Sequence, residues 1–337
     1  MILILFVAVV GFVWWNSMSQ PVATVSPSAS ATPSPSPTNT TPVTVPPGGL
    51  KLPAPVRAPV PSTNQGTVTF AIRDKAEALG NFNYILLQLS GLSVHKSGGG
   101  WTNMKSTPPL LDLLKISLTE QEAAFLTEMN LDAGIYDQIR LEVGNLVLVT
   151  KDGMYHDTKL PSKQLKLNTH LVVEKGNLSS ATVDIISGKS IHLTGKGLYI
   201  FSPVVNVETR SKLSQVQVFP TGFVTLIGGK TDTSFDAGMD ETGAMKKDFM
   251  FDSTTDLDVV GDAIHIIPKE ESEAKNIKIT PQEALDTAIK SGSITSALSI
   301  KLGHWANKLV WQVTGVKGEG TGIVYVDVLT GLVAGTQ

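Results

Sequence analysis

The chain has 337 residues, 27 of them basic and 30 acidic, for a formal net charge of −3. That balance excludes the basic excess usual in a nucleic-acid binder, and 42% hydrophobic residues exclude a chain disordered throughout. Cysteine is absent, which removes disulfides, thiolate metal sites, a cysteine nucleophile and a lipid-modified N-terminal cysteine.

Residues 1–50 carry no charged side chain. Residues 1–15 are apolar throughout, and continuing to Met18 gives a stretch close to the lower limit of about 17 residues for a membrane span. Trp14 and Trp15 would then lie at the outer membrane interface, where indoles are favoured. The segment reads as a transmembrane signal anchor over residues 1–18. The alternative is a cleaved signal peptide with Ser17-Met18-Ser19 as its small-x-small site, and a secreted product. A buried N-terminal helix fits poorly before the tract that follows. Residues 16–65 contain 12 of the 19 prolines and 15 Ser/Thr, a composition that packs no core and sustains no helix. Residues 19–65 therefore read as a disordered, semi-extended stalk. Asn39-Thr40-Thr41 and Asn177-Leu178-Ser179 fit glycosylation sequons, which are weak triplets.

From Gly66 the pattern changes to period two: Val68, Phe70 and Ile72, later Ile139, Leu141 and Val143, then Val326 and Val328. Such alternation marks strands with one buried face. Turn signals recur at residues 98–100, 151–153, 174–177, 228–229 and 240–243. Short, closely spaced strands favour antiparallel sheets and a sandwich. Two segments read as helices. Residues 119–129 open with a Thr119/Glu122 capping box and bring Ala123, Phe125, Leu126 and Met129 toward one face. Residues 280–289 open with Thr280, Pro281 and Glu283, with Ala284, Leu285, Ala288 and Ile289 as the buried stripe. The expected fold is mainly β with a small α+β part. It comprises a sandwich-like domain at 66–209, a small β connector at 210–276, and a helix-plus-antiparallel-sheet module at 277–337.

Residues 66–209 resemble domain-of-unknown-function family 4382, found in exported proteins. The resemblance is carried by Asp74 at the end of the first strand, Trp101, the run 110–114, the segment 133–140, Pro161-Ser162, Lys166, Asp184 and Pro203. It departs at Arg73-Asp74-Lys75-Ala76, where the family commonly has proline soon after aspartate. It implies an exported β-sandwich-like module with no catalytic residues to carry over. On physical grounds, Gly134 serves a tight turn, Tyr136 packs its ring while its hydroxyl bonds, and Arg140 could pair with Asp184 or simply be exposed. Residues 277–337 look like a PepSY domain, through Thr280-Pro281-Gln282-Glu283-Ala284, Trp311-Gln312-Val313, Tyr325-Val326-Asp327 and Thr330-Gly331-Leu332-Val333. That resemblance implies relatedness to inhibitory prosegments of secreted metallopeptidases. Asp327 reads as a turn cap and Trp311 as filling the helix-sheet core.

No constellation points to catalysis. The acid-rich span 232–258 fits no EF-hand loop, and solvated turns explain it more simply than a calcium site at 236–241. Histidines 95, 156, 170, 192, 265 and 304 lack zinc spacing. Ser93-Val94-His95-Lys96 has serine-x-x-lysine spacing on a strand without companion motifs, and no Gly-x-Ser-x-Gly elbow or His-Glu-x-x-His occurs. Residues 318–322 imitate a phosphate loop but join two strands. The chain reads as a non-enzymatic, membrane-anchored extracytoplasmic protein with no catalytic, cofactor or metal residues. Its expected role is surface binding or display. The alternative is regulation of an extracellular peptidase through the C-terminal module. Expected partners are the membrane and a peptidase or other surface protein, not nucleic acid. Carbohydrate binding would need exposed aromatic platforms, and Trp101 is the sole tryptophan between Trp15 and Trp305.

Overall fold

The computed structural model describes residues 62–75, 79–104, 110–117, 122–252, 255–268 and 277–337. The expected anchor, most of the stalk and Thr119 lie outside these residues. No helix among the described residues is long and apolar enough to cross a membrane.

The fold is mainly β. The first sheet comprises β1 (Gln65–Asp74), β5 (Ala123–Asp132), β9 (Leu178–Ile185), β12 (Val204–Val218), β13 (Phe223–Met239) and β14 (Met245–Lys247). Its order is β12-β9-β1-β5-β13-β14, and β12 also pairs with β13. The second sheet runs β10 (Ile191–Leu193), β11 (Tyr199–Phe201), β7 (Tyr155–Lys159), β6 (Gly134–Thr150), β2 (Phe82–Lys96) and β3 (Trp101–Asn103). Strand β4 (Leu110–Asp112) pairs with β2, and β8 (Gln164–Val173) with β6. One apolar core lies between these two sheets. Val68, Phe70 and Ile72 enter it from β1, and Ile139, Leu141 and Val143 from β6. Alternation thus assigns the buried face of both strands as the sequence predicts. Asp74 is buried at the end of β1, where its Oδ1 accepts hydrogen bonds from the Ser187 N–H (3.1 Å) and hydroxyl (2.8 Å). It thereby holds the start of the short helix α2 (Ser187–Ser190).

Several expectations fail for identifiable reasons. The sheets are mixed rather than antiparallel, with parallel pairs β1–β9 and β11–β7. Strands β2 to β8 separate β1 from β9, so no hairpin fixes their relative direction. The helix expected over 119–129 is strand β5 from Ala123 onward. Ala124 and Leu126 face the main core, whereas Ala123 and Phe125 face a second cluster with Ala71, Leu213, Val216 and Val224. A strand buried on both faces loses its alternation. The register shift opposite Phe70/Ala71 also places Leu126 and Met129 three residues apart on one face, which imitates a helical period.

Gly228 and Gly229, expected as a turn, lie inside β13 with φ of +70° and +86°, at a register irregularity in the β12–β13 hairpin. A Cβ at Gly229 would come within 2.9 Å of the Ser211 carbonyl at a positive φ, so glycine is required there. At the hairpin end, Phe223 and Val224 pair with Ala124 and Ala123 of β5. The first sheet therefore curls on itself and encloses the second cluster.

The third sheet has the order β15 (Thr255–Val260), β16 (Ala263–Pro268), β17 (Ser296–Trp305), β18 (Lys308–Lys317), β19 (Gly320–Asp327) and β20 (Val333–Thr336), with β16–β17 parallel. The described residues of the span 210–276 form no sheet of their own: β12 to β14 belong to the first sheet, and β15 and β16 to the third. Polar stretches such as 230–234 hid the continuity of β13. Helix α3 (Pro281–Lys290) has the predicted capping box, with the Thr280 N–H donating to Glu283 Oε2 at 2.8 Å. Ala284, Leu285 and Ala288 are buried, but Ile289 is exposed, contrary to the expected stripe. Trp311 fills the helix-sheet core and its indole N–H donates to the Ile279 carbonyl at 2.8 Å. Asp327 caps its turn through the N–H groups of Leu329 and Thr330, both at 2.9 Å.

Ile200 of β11 packs with Leu257 and Ile264 of the third sheet, and Lys196 pairs with Asp258 at 2.7 Å. Beside this cluster, His192 meets Phe251 edge-on at 5.6 Å, and its Nε2 is buried without a hydrogen-bond partner. Burial pushes the pKa of His192 down, and burial does the same to His265 against the opposing pull of Asp258. A histidine with a depressed folded pKa destabilises the fold as pH falls through its unfolded value of about 6.5. The melting temperature should therefore fall between about pH 7.5 and 5.5. His192→Phe should flatten that fall, leaving the His265 part. Equal slopes for the two proteins would contradict the assignment.

Candidate functional site

The outer face of the second sheet carries an ordered row of side chains. Trp101 on β3 lies opposite His95 on β2, His95 opposite Gln138 on β6, and Gln138 opposite Asn168 on β8. Directly opposed residues share a sheet face with Cβ atoms about 5 Å apart, so the four side chains form a cross-strand ladder. Their strand neighbours Val94, Ile139 and Leu167 point into the core. A second row runs from Asn103 through Ser93 and Arg140 to Lys166.

Contacts within the ladder fix its members. His95 Nδ1 lies 2.7 Å from Asp137 Oδ1, and the His95 and Trp101 rings are tilted at 5.1 Å. The Arg140 guanidinium sits 4.1 Å from the Trp101 ring centroid, a cation–π contact that leaves the indole 39% exposed. The Gln138 amide donates to Asn168 Oδ1 at 2.9 Å. The His95 hydrogen bond holds the Asp137 carboxyl below the ordinary aspartate range, and the Ser97 hydroxyl adds to this.

Two depressions meet at Asn168, the first on this face and the second at the edge between the two sheets, where Leu167, Phe235, Ala237 and Met245 also line it. One of about 500 Å³ is lined by His95, Trp101, Asp137, Gln138 and Asn168. The other, of about 580 Å³, shares Asn168 and extends over Lys166 and His170 to Asp232, Ser234 and Lys247. It forms where the free edge of β8 meets the first sheet. There the His170 N–H donates to Thr233 Oγ1 at 2.9 Å, and the Thr209 hydroxyl donates to the His170 carbonyl at 3.2 Å. Within this depression's lining, Thr169 Oγ1 and Asp232 Oδ2 are buried without partners, while Asp232 Oδ1 accepts from Ser211 at 3.0 Å.

Other sequence-singled groups resolve into structural roles. Arg140 and Asp184 do not pair: Arg140 covers Trp101, whereas Asp184 lies in the first sheet opposite Arg73. Tyr136 is buried and its hydroxyl donates to the Asp132 carbonyl at 3.1 Å. Ser93 faces outward opposite Arg140, while Lys96 lies across Gly134, so the serine-x-x-lysine spacing brings no amine to the hydroxyl. The acidic span is dispersed. Asp236 accepts from Asn206, Asp240 from Thr242 and Ala244 while pairing with Lys246, and Asp258 pairs with Lys196. No group of three or more His, Asp or Glu among the described residues could hold a metal ion.

Trp101, Asp137, Gln138, Arg140 and Lys166, which lie in separate parts of the family resemblance, thus meet on one face. Residues 65–203 match the family model described as Domain of unknown function (DUF4382). The DUF4382 match contains the whole ladder and ends just before β12, so the hairpin that completes the first sheet lies beyond it. No curated protein and no solved structure matches the chain.

Sequence reading missed His95 and Asn168 as members of the Trp101 ladder and His170 as part of the adjoining depression. Their off-phase positions beside Val94, Leu167 and Leu171 mark them as outward, but no local signal says which strands are neighbours. The His95–Asp137 contact has a direct test. His95→Phe should move the Asp137 carboxyl titration, read from its side-chain ¹³C shift, back up toward the ordinary aspartate value. An unchanged titration would contradict the hydrogen bond.

Proposed function

We propose that the chain is a membrane-anchored, extracytoplasmic, non-enzymatic binding protein whose second-sheet face takes a polyhydroxylated ligand, a glycan. The observation that carries this reading is the Trp101–His95–Gln138–Asn168 ladder. A sugar ring offers an apolar C–H face to an indole, and hydroxyls that both donate and accept. Side-chain amides match such hydroxyls because each holds donors and an acceptor together. The ladder's side chains are already fixed by Arg140, Asp137 and one another, so little ordering remains to oppose binding. The apolar segment 1–18 and the Pro/Ser/Thr tract 19–65 support the anchor and stalk in this reading, with the globular part outside the membrane.

Trp101→Ala should weaken retention of the full chain, in a non-glycosidic detergent, on immobilised cell-envelope polysaccharide. The expected loss is about tenfold or more, as for an aromatic anchor that the bound partner covers. Retention equal to the parent chain would contradict the assigned face.

A second reading, regulation of an extracellular peptidase, draws on the PepSY resemblance of residues 277–337 and on β20, which ends the third sheet with an open edge. An extended peptide segment can add to such an edge. Under this reading, excess chain slows the secreted peptidase activity of the producing cells. An unaltered rate would sink it.

A further inference from the structure

We infer that the two depressions form one continuous site for an acidic polysaccharide, with sugar rings against Trp101 and carboxylate substituents at Lys166 and Lys247. The inference deepens, and rests on, the glycan reading of the Trp101 face.

Three observations carry it. First, Asn168 lines both depressions, so a ligand filling them is longer than one ring and runs across β3, β2, β6 and β8 onto β13. Second, Thr169 and Asp232 line the far depression, and each has a side-chain oxygen, Thr169 Oγ1 and Asp232 Oδ2, that is closed to solvent and has no hydrogen-bond partner. Buried polar atoms require partners, and rotation of either side chain would present its oxygen to the hydroxyls of a ligand lying in the depression. Third, Lys166 and Lys247 line the same depression, and neither takes part in an ion pair among the described residues. Arg140 lies directly opposite Lys166 in the second row, which extends the cationic line back to Trp101.

The two carboxylates on the path do not cancel this preference. Asp137 is engaged by His95, and Asp232 is held by Ser211 on one oxygen. Asp232 instead sets polarity, because its charge repels a ligand carboxylate, which is thereby directed to the lysines. A membrane phosphate would use the lysines but neither the indole nor the buried hydroxyl-binding pair.

The test uses the full chain, a short galacturonate oligomer, and the neutral galactose oligomer made by reducing its carboxyl groups. The parent chain should bind the acidic oligomer about tenfold or more tightly than the neutral one. Raising salt from about 50 to 500 mM should erase most of that preference. The double variant Lys166→Ala, Lys247→Ala should bind both oligomers at the neutral level, Lys→Arg at both positions should keep the preference, and Trp101→Ala should lose both ligands. Equal binding of the two oligomers by the parent chain, or a preference that survives the double alanine variant, overturns the acidic assignment and leaves the glycan reading standing. Binding of neither oligomer overturns both.

Discussion

The register of β6 is the constraint on which the rest depends. This 17-residue strand pairs with β2 along one edge, and with β8 and then β7 along the other. Because side chains alternate, that one alignment sends Ile139, Leu141 and Val143 into the core and Gln138 and Arg140 to the outer face. A slip of one residue would exchange the two sets. Core and ladder are therefore two faces of a single constraint, and hydrophobic burial positions the polar side chains on the opposite face. The core's close packing gives that positioning its rigidity, since interiors tolerate little displacement.

Around this strand the molecule solves two edge problems. The free edge of β8 is covered by β12 and β13 through Thr209 and Thr233, and the junction creates the larger depression. The first sheet closes upon itself where the bulge at Gly228 and Gly229 bends the β12–β13 hairpin toward β5. Unpaired edges invite association with other chains, so both devices protect the fold while shaping the surface. The third sheet leans on β11 through Ile200, Leu257 and Ile264, and two histidines, His192 beside that seam and His265 against Trp311, couple stability to pH.

Much of this was legible in the residues. Period-two runs located β1, β6 and β19, and the Thr280 capping box located α3, because each rests on local chemistry. β5 was misread because burial on both faces and a bulge removed its alternation. Gly228 and Gly229 marked a real backbone need, but a bulge rather than a turn. At the site, Trp101 and Arg140 stood out individually, whereas the ladder did not. His95 and Asn168 join Trp101 only through pairings among β3, β2, β6 and β8, which span some seventy residues of chain. Such non-local pairing leaves no local pattern in the sequence.

The most direct measurement is amide chemical-shift mapping of the chain during titration with the galacturonate oligomer. Shifts should form one contiguous stripe through Trp101, His95, Gln138 and Asn168 and continue to Lys247, crossing five strands that are distant in sequence. Shifts confined to β20 and its neighbours, or scattered without following the ladder, would contradict the claim that the outer face of the second sheet is the binding surface.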